Sequence, residues 1–176
     1  MIKYFILIFL LPIFLYSSEH HLLLSGFTKH IDKDLAGYQY NEFNLGFGYE
    51  YSTYNKDESQ WYNSYKISII NDSYKNPFPF IGYSREYKFE NLPISLSLDF
   101  FLGYKKMAFY DSTFNKDKTI YEYKPIAGIL PTLKYYYKDI SVDIAYAPHI
   151  KLELKDNILT SPSFVYLYFS INLPEY

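Results

Sequence analysis

Apolar and polar residues alternate one by one along several segments of this chain, and this alternation restricts its possible folds more than any other feature. In 43–51, every odd-numbered residue is apolar or aromatic, with asparagine, glycine or glutamate between them. Similar alternation recurs in 94–104, 140–147 and 165–173. Successive side chains of a strand point to opposite faces. Each segment is therefore predicted to form a β-strand with one apolar face and one mostly polar or small face.

Two all-β architectures accommodate such strands. A soluble β-sandwich buries the apolar face against a second sheet, whereas a membrane barrel turns that face to lipid. Tyrosine and phenylalanine, with 23 and 15 copies, cap the ends of the apolar faces, as membrane interfaces favour. The opposite face carries glycine, serine, asparagine and isolated acids, which suits a narrow polar interior. Both features favour the barrel.

The number of strands and the lengths of their connections point to the same architecture. The predicted strands are 21–30, 41–53, 60–71, 79–89, 94–104, 120–136, 140–148 and 160–173. Short connections alternate with long ones, which is the periplasmic and extracellular asymmetry of bacterial barrels. The predicted fold is an all-β, eight-stranded antiparallel transmembrane β-barrel of the outer membrane.

The first residues predict export. A short positive start precedes the apolar run Tyr4 to Tyr16, and the small residues Ser17 and Ser18 follow. Thirteen apolar residues are too few to span a bilayer as a helix, so 1–18 is predicted to be a signal peptide and 19–176 the barrel. The absence of cysteine excludes a disulfide framework and a lipoprotein anchor. The net charge of −2 gives no indication of a nucleic-acid partner.

Three side chains of acyl-transfer chemistry are predicted to share one rim of this barrel. Asp72 and Ser73 end the third strand, and His30 ends the first. If the N-terminus is periplasmic, odd-numbered strands run outward and bring all three to the outer rim. A carboxylate, a hydroxyl and an imidazole are groups that acyl transfer uses. A simpler interpretation also stands, because Asp and Ser favour local hydrogen bonds in turns.

A set of motifs resembles the PagP family of lipid A palmitoyltransferases. In chain order they are Thr28-Lys29-His30, Tyr40-Asn41-Glu42, Gly46-Phe47-Gly48, Asn71-Asp72-Ser73-Tyr74-Lys75, Ile81-Gly82-Tyr83, the pair Pro125 and Pro131, and Tyr146-Ala147-Pro148. The likeness runs from about 22 to 148 and becomes weaker toward the C-terminus. It implies an eight-stranded barrel that holds one acyl chain inside.

The resemblance also implies roles for individual residues. His30 is expected to be the general base toward a lipid A hydroxyl, and Asp72 and Ser73 to position and polarise the reacting ester. Pro131 and Pro148 match prolines that open a lateral path for lipid, since proline cannot donate to a strand ladder. Ser84 stands where the family has the glycine that floors the acyl pocket. A bulkier floor implies an acyl chain shorter than palmitate.

The function predicted from the sequence is an outer-membrane acyltransferase that moves a palmitoyl-like chain from a phospholipid donor to lipid A. It is expected to act at the cell-surface side as a monomer, without a cofactor or metal. Two alternatives remain open: a non-enzymatic barrel with a structural, adhesive or lipid-binding role, and a lipid A deacylase. Added, lost or unchanged acyl chains on lipid A would distinguish them.

Arg85 is a charged residue that the alternation places on the apolar outer face of the barrel. Because side chains alternate between the two faces of a strand, the Arg85 side chain is predicted to point outward, like those of Tyr83 and Tyr87. A cation on the lipid face at mid-depth costs about 2–4 kcal/mol. A local bulge or a different register would remove this conflict.

Overall fold

The chain forms a closed antiparallel barrel in a computed structural model that describes residues 17–32, 39–54, 60–110, 119–153 and 158–174. The strands are β1 (Ser17–His30), β2 (Phe43–Tyr54), β3 (Trp61–Asn71), β4 (Pro77–Lys88), β5 (Ile94–Tyr110), β6 (Ile120–Tyr137), β7 (Ile140–Ala147), β8 (Ile150–Glu153), β9 (Ile158–Ser161) and β10 (Phe164–Leu173). Within these ranges no helix is long and apolar enough to cross a membrane.

Eight of these strands form the barrel wall, and the predicted fold class is confirmed. The order around the wall is β4-β3-β2-β1-β10-β7-β6-β5, and pairing of β4 with β5 closes it. Every barrel pair is antiparallel. The signal-peptide boundary after Ser18 stays a prediction, because 1–16 lie outside the described residues.

The barrel wall has the polarity of a membrane protein rather than that of a soluble sandwich. Leu45 and Phe47 on β2 are 63% and 64% exposed, whereas Glu50 on the same strand is 0% exposed. Asp143 on β7 is likewise fully buried. An apolar outer surface and a polar interior suit a barrel that lies in lipid.

Paired charges fill part of the interior. The Lys66 ammonium lies 3.1 Å from Asp99 and 3.3 Å from Glu50. The Lys134 ammonium lies 3.4 Å from Glu50 and 3.6 Å from Asp143. Buried ions are tolerated when they are paired in this way, because each partner offsets the desolvation of the other.

The strand predictions were wrong in two places near the barrel mouth. The segment 105–110, expected to be a loop, continues β5 and pairs with β6 as far as Phe109 with Ile120. The predicted strand 160–173 is divided in two, because β9 ends before Pro162 and β10 begins after it. Strands β8 and β9 form a short hairpin, and β9 pairs with the outer end of β5.

One seam of the barrel wall is paired along only part of its length. The β6–β7 ladder extends from Tyr137 with Ile140 to Thr132 with Ala145. Within the described residues, 120–131 of β6 pair with β5 but not with β7. Pro131 is the first residue beyond the last β6–β7 pair, and Pro148 directly follows β7. The two prolines therefore flank an unpaired seam on one half of the barrel.

Arg85 points outward, as the alternation predicts, without a bulge. The β3–β4 ladder has no register shift from Trp61 with Tyr87 to Asn71 with Pro77. The Arg85 guanidinium lies 4.8 Å from the centre of the Trp61 ring and donates to Asn63 Oδ1 at 2.8 Å. A ring and an amide oxygen on the neighbouring strand thus accommodate the cation.

Candidate acyl-transfer site

His30 and Ser73 meet at one end of the barrel, although 43 residues separate them in the sequence. Strand β1 ends at His30, and the turn after β3 carries Ser73. The His30 Nε2 atom lies 2.9 Å from Ser73 Oγ, within hydrogen-bond distance. With the proton on Nδ1, Nε2 accepts this bond from the hydroxyl. Two of the three predicted residues are therefore in direct contact.

Asp72 holds the turn that presents Ser73. Its Oδ1 atom accepts from the backbone N–H of Tyr74 at 2.9 Å and of Asn76 at 2.8 Å. The turn also places Lys75 in the left-handed region, with φ of 62°. Asp72 is only 2% exposed, and its Oδ2 atom has no hydrogen-bond partner among the described residues. The local turn interpretation is thus right for Oδ1, which accepts the backbone hydrogen bonds of the turn that carries Ser73.

Aromatic rings fix the orientation of the His30 imidazole. Tyr40 stacks on it with ring centres 4.1 Å apart and planes 21° from parallel. Phe164 lies on β10 with its ring centre 5.8 Å away. Rings that pack in this way restrict rotation of the imidazole. Its Nε2 atom is therefore kept toward Ser73. The alternation gave no signal for Tyr40, which lies before β2.

An apolar cavity extends inward from this pair. Its walls include Leu23, Ile70, Phe78, Phe101 and Leu130. A smaller pocket above it is lined by His30, Tyr40 and the β9–β10 connection. Ser73, Lys105 and Phe164 line both spaces and form the junction between them. Such a cavity suits an aliphatic chain that lies inside it and carries a polar group at the cavity mouth.

Polar residues form the inner end of the cavity. Lys66 Nζ lies 3.1 Å from Asp99 Oδ2 and 3.2 Å from the Tyr168 hydroxyl. The Tyr168 hydroxyl donates to Asp99 Oδ2 at 3.3 Å. A hydrocarbon chain gains nothing by displacing these groups, since they would lose their hydrogen bonds. This trio is the cavity floor.

The expectation that Ser84 forms the floor stays a prediction, and the structure places this residue beside the trio, paired with Asp99 across β4 and β5. Ser84 is 1% exposed and does not line the cavity, whereas Gly82 on the same strand does. In the β3–β4 register, Lys66 pairs with Gly82, and Ser84 lies one inward-facing position deeper. The Lys66 ammonium reaches Asp99, the residue that pairs with Ser84 across β4 and β5. Sequence comparison of position 84 alone cannot reveal a side chain that crosses from a neighbouring strand.

A second polar cluster connects loops at the same end of the barrel. Asp32 Oδ2 accepts from the Ser163 backbone N–H at 2.9 Å and from its hydroxyl, and His149 Nδ1 lies 3.2 Å away. The hydrogen bonds from Ser163 lower the pKa of the Asp32 carboxyl below its usual value. His149 and Ser163 flank the β8–β9 hairpin, so this cluster, the Asp32 latch, ties both ends of the hairpin to β1. No group of three potential metal ligands is found within the described ranges.

These features define a class of protein: a β-barrel of the outer-membrane type, with an apolar cavity inside and a histidine–serine pair at its mouth. Comparison with known proteins agrees. Residues 14–161 match the family model described as "Antimicrobial peptide resistance and lipid A acylation protein PagP". The chain is 31% identical over 136 residues to a protein of Methylobacillus flagellatus named lipid A acyltransferase PagP, which covers 75% of this chain and 67% of the relative. The chain belongs to the PagP family, and the resemblance predicted from its motifs is confirmed.

Proposed function

We propose that this protein is an outer-membrane lipid A acyltransferase that takes its acyl chain from a phospholipid. The observation that carries the proposal is the His30–Ser73 contact at the mouth of an apolar cavity. Membership of the PagP family and the name of the relative support the lipid A acceptor.

In this mechanism the donor chain lies in the cavity and its ester lies at the junction beside Ser73. His30 Nε2 takes the proton of a lipid A hydroxyl while that oxygen attacks the ester carbonyl. The bond to the phospholipid oxygen then breaks, and this oxygen receives the proton from His30. The products are acylated lipid A and a lysophospholipid. Ser73 orients the imidazole and the ester, and Asp72 holds the turn that carries Ser73.

The barrel wall supplies a path for the donor. The seam between β6 and β7 is unpaired beyond Thr132, beside Pro131 and Pro148. A lipid chain can enter laterally there because no strand ladder has to break. We place this mouth at the cell-surface side, where both lipids meet. Closure of the wall through β4 and β5 leaves a monomer able to carry the complete site.

The position of the floor sets the length of chain that fits. Six residues separate Asp72 from Lys66, which is about 15 Å along the barrel axis at about 3.3 Å per residue and a strand tilt of about 40°. A zigzag hydrocarbon advances about 1.3 Å per carbon, so about twelve carbons fit. A floor at the level of Ser64 and Ser84 would admit about four more. The preferred chain is therefore shorter than palmitate.

Mass spectrometry of lipid A tests the function. The protein is expressed in a Gram-negative host without this activity, together with His30→Ala, Ser73→Ala and the control His20→Ala. His20 lies on β1 away from the cavity, hydrogen-bonded to Tyr49. The proposal predicts one added acyl chain with wild type and His20→Ala, and none with the other two. Loss of a chain would indicate a deacylase, and unchanged lipid A a non-enzymatic barrel; either result refutes the proposal.

A further inference from the structure

Lys105 lies at the junction of the two cavities, although the sequence placed it in a loop. It belongs to β5 and lines both the acyl cavity and the pocket that contains His30. The junction side chains besides Lys105 are Ser73 and Phe164, which are uncharged. A donor ester whose chain fills the acyl cavity must pass its carbonyl group through this junction. Lys105 therefore faces the reacting atoms.

Lys105 also differs from the other interior lysines in its surroundings. Lys66 and Lys134 each have carboxylates within 3.1–3.6 Å. In the part of the chain that the structure describes, Lys105 forms no such ion pair; burial disfavours its charged form, and the charge of Asp72 favours it. Its Nζ atom lies 5.8 Å from the centre of the Phe78 ring, in the cavity wall. Its positive charge is therefore not neutralised by direct contact.

We propose that Lys105 is a catalytic residue that stabilises the oxyanion formed on the carbonyl oxygen of the donor ester. This inference rests on the proposed function. When the lipid A hydroxyl oxygen bonds to the carbonyl carbon, its proton passes to His30 and the carbonyl π electrons move onto oxygen. The resulting negative charge develops at the junction. A fixed cation there stabilises the transition state more than the neutral ester.

The lining of the cavity favours this role over recognition of the phospholipid phosphate. Lys105 shares the cavity with Phe78 and Phe101, apolar walls that suit a hydrocarbon chain. A phosphate would have to leave the head-group region and enter this space, at a large desolvation cost. The carbonyl group is the part of the donor that reaches this depth while the phosphate stays outside.

The kinetic parameters of matched variants test the role of Lys105. The full-length protein is purified in detergent micelles and assayed with a phosphatidylcholine donor and lipid A. Lys105→Met is expected to lower kcat about 10²- to 10³-fold with little change in the KM for the donor. Lys105→Arg keeps the charge and is expected to stay within about tenfold of wild type. Lys106→Met is the control, because Lys106 lies by the Tyr121 ring, 5.9 Å from its centre, and lines neither cavity.

The possible outcomes separate this inference from the proposed function. If wild type transfers no acyl chain, the proposed function fails. If wild type is active and Lys105→Met keeps its kcat, or changes only the KM for the donor, the oxyanion role is refuted. If Lys105→Met does not form a heat-stable barrel, Lys105→Gln is measured instead. An unchanged kcat, or a change only in the KM for the donor, would then refute the oxyanion role. Restoration of kcat in Lys105→Ala by added ethylamine would support the role, since a purely structural lysine would not respond.

Discussion

The position of the cavity floor makes a prediction that two neighbouring residues of β4 can test. Gly82 lines the acyl cavity, and Ser84 lies one inward-facing position deeper and does not line it. Both residues face the interior, two positions apart on one strand. We expect Gly82→Met to shorten the preferred acyl chain and Ser84→Met to leave it unchanged. The two variants carry the same side chain and differ only in depth.

The size of the effect follows from the geometry at Gly82. A Cβ atom there would lie 3.2 Å from the Phe100 carbonyl oxygen and 3.5 Å from Lys66 Cβ, so a side chain fits after small shifts. A methionine side chain points across the lumen and blocks the level of its own inward-facing position, which is about 5 Å along the barrel axis, or about four carbons at about 1.3 Å each. The optimum should therefore fall from about twelve carbons to about eight. Ser84→Met should destabilise the barrel by about 1–3 kcal/mol through overpacking.

The assay offers saturated phosphatidylcholines with chains of eight to sixteen carbons to each purified variant. Transfer to lipid A is measured by mass spectrometry as an initial rate for each chain length. A shortened optimum in Ser84→Met but not in Gly82→Met would refute the floor at Lys66. An unshifted optimum in both variants would show that the cavity does not hold the acyl chain.

Three further predictions concern stability, orientation and pH. Lys66→Met leaves the buried Asp99 carboxylate without its ion-pair partner and should lower the free energy of unfolding in urea by about 3–5 kcal/mol. The exposed Lys29→Met should cost less than about 1 kcal/mol. Tyr40→Ala removes the ring that stacks on His30, an interaction that contributes about 0.5–1.5 kcal/mol. The variant should lower kcat up to about tenfold, and an unchanged kcat would contradict the orienting role of Tyr40. The Asp32 latch depends on a carboxylate whose pKa is lowered in the folded state, so it should hold at neutral pH and be lost as the pH falls below the usual aspartate pKa. Loss of the latch would be seen as faster proteolysis of the β8–β9 hairpin at low pH than at pH 7, and as faster proteolysis of Asp32→Asn than of wild type at pH 7. Equal proteolysis rates in both comparisons would contradict the prediction.

The alternation of side chains was enough to predict the barrel wall, because lipid outside and polar contacts inside both require it. It placed each of the eight barrel strands close to its observed position. The alternation did not predict the strands correctly where pairing does not depend on lipid outside and polar contacts inside. The C-terminal part of β5 and the β8–β9 hairpin depend for their pairing on contacts between segments that are distant in the sequence. The turn residue Pro162 was the local signal that 160–173 is not one strand.

The candidate site was predicted in part. Strand direction brought His30 and Ser73 to one rim, and the family motifs supported both residues. The roles of Lys66, Asp99 and Tyr168 could not be predicted, because they arise where long side chains from three strands meet in the interior. Lys105 was missed since its strand was expected to end at Tyr104. Side-chain reach across a barrel is a property of the closed wall rather than of any single strand.

The central claim is that His30 and Ser73 act together on an acyl chain held inside the barrel. The most direct measurement is the rate of acyl transfer to lipid A for wild type, His30→Ala, Ser73→Ala and the double variant. Residues that act as a unit have strongly non-additive effects. The account predicts that each single variant loses nearly all transfer and that the double variant is no slower than either. Losses that multiply in the double variant, or a single variant that retains wild-type transfer, would contradict it.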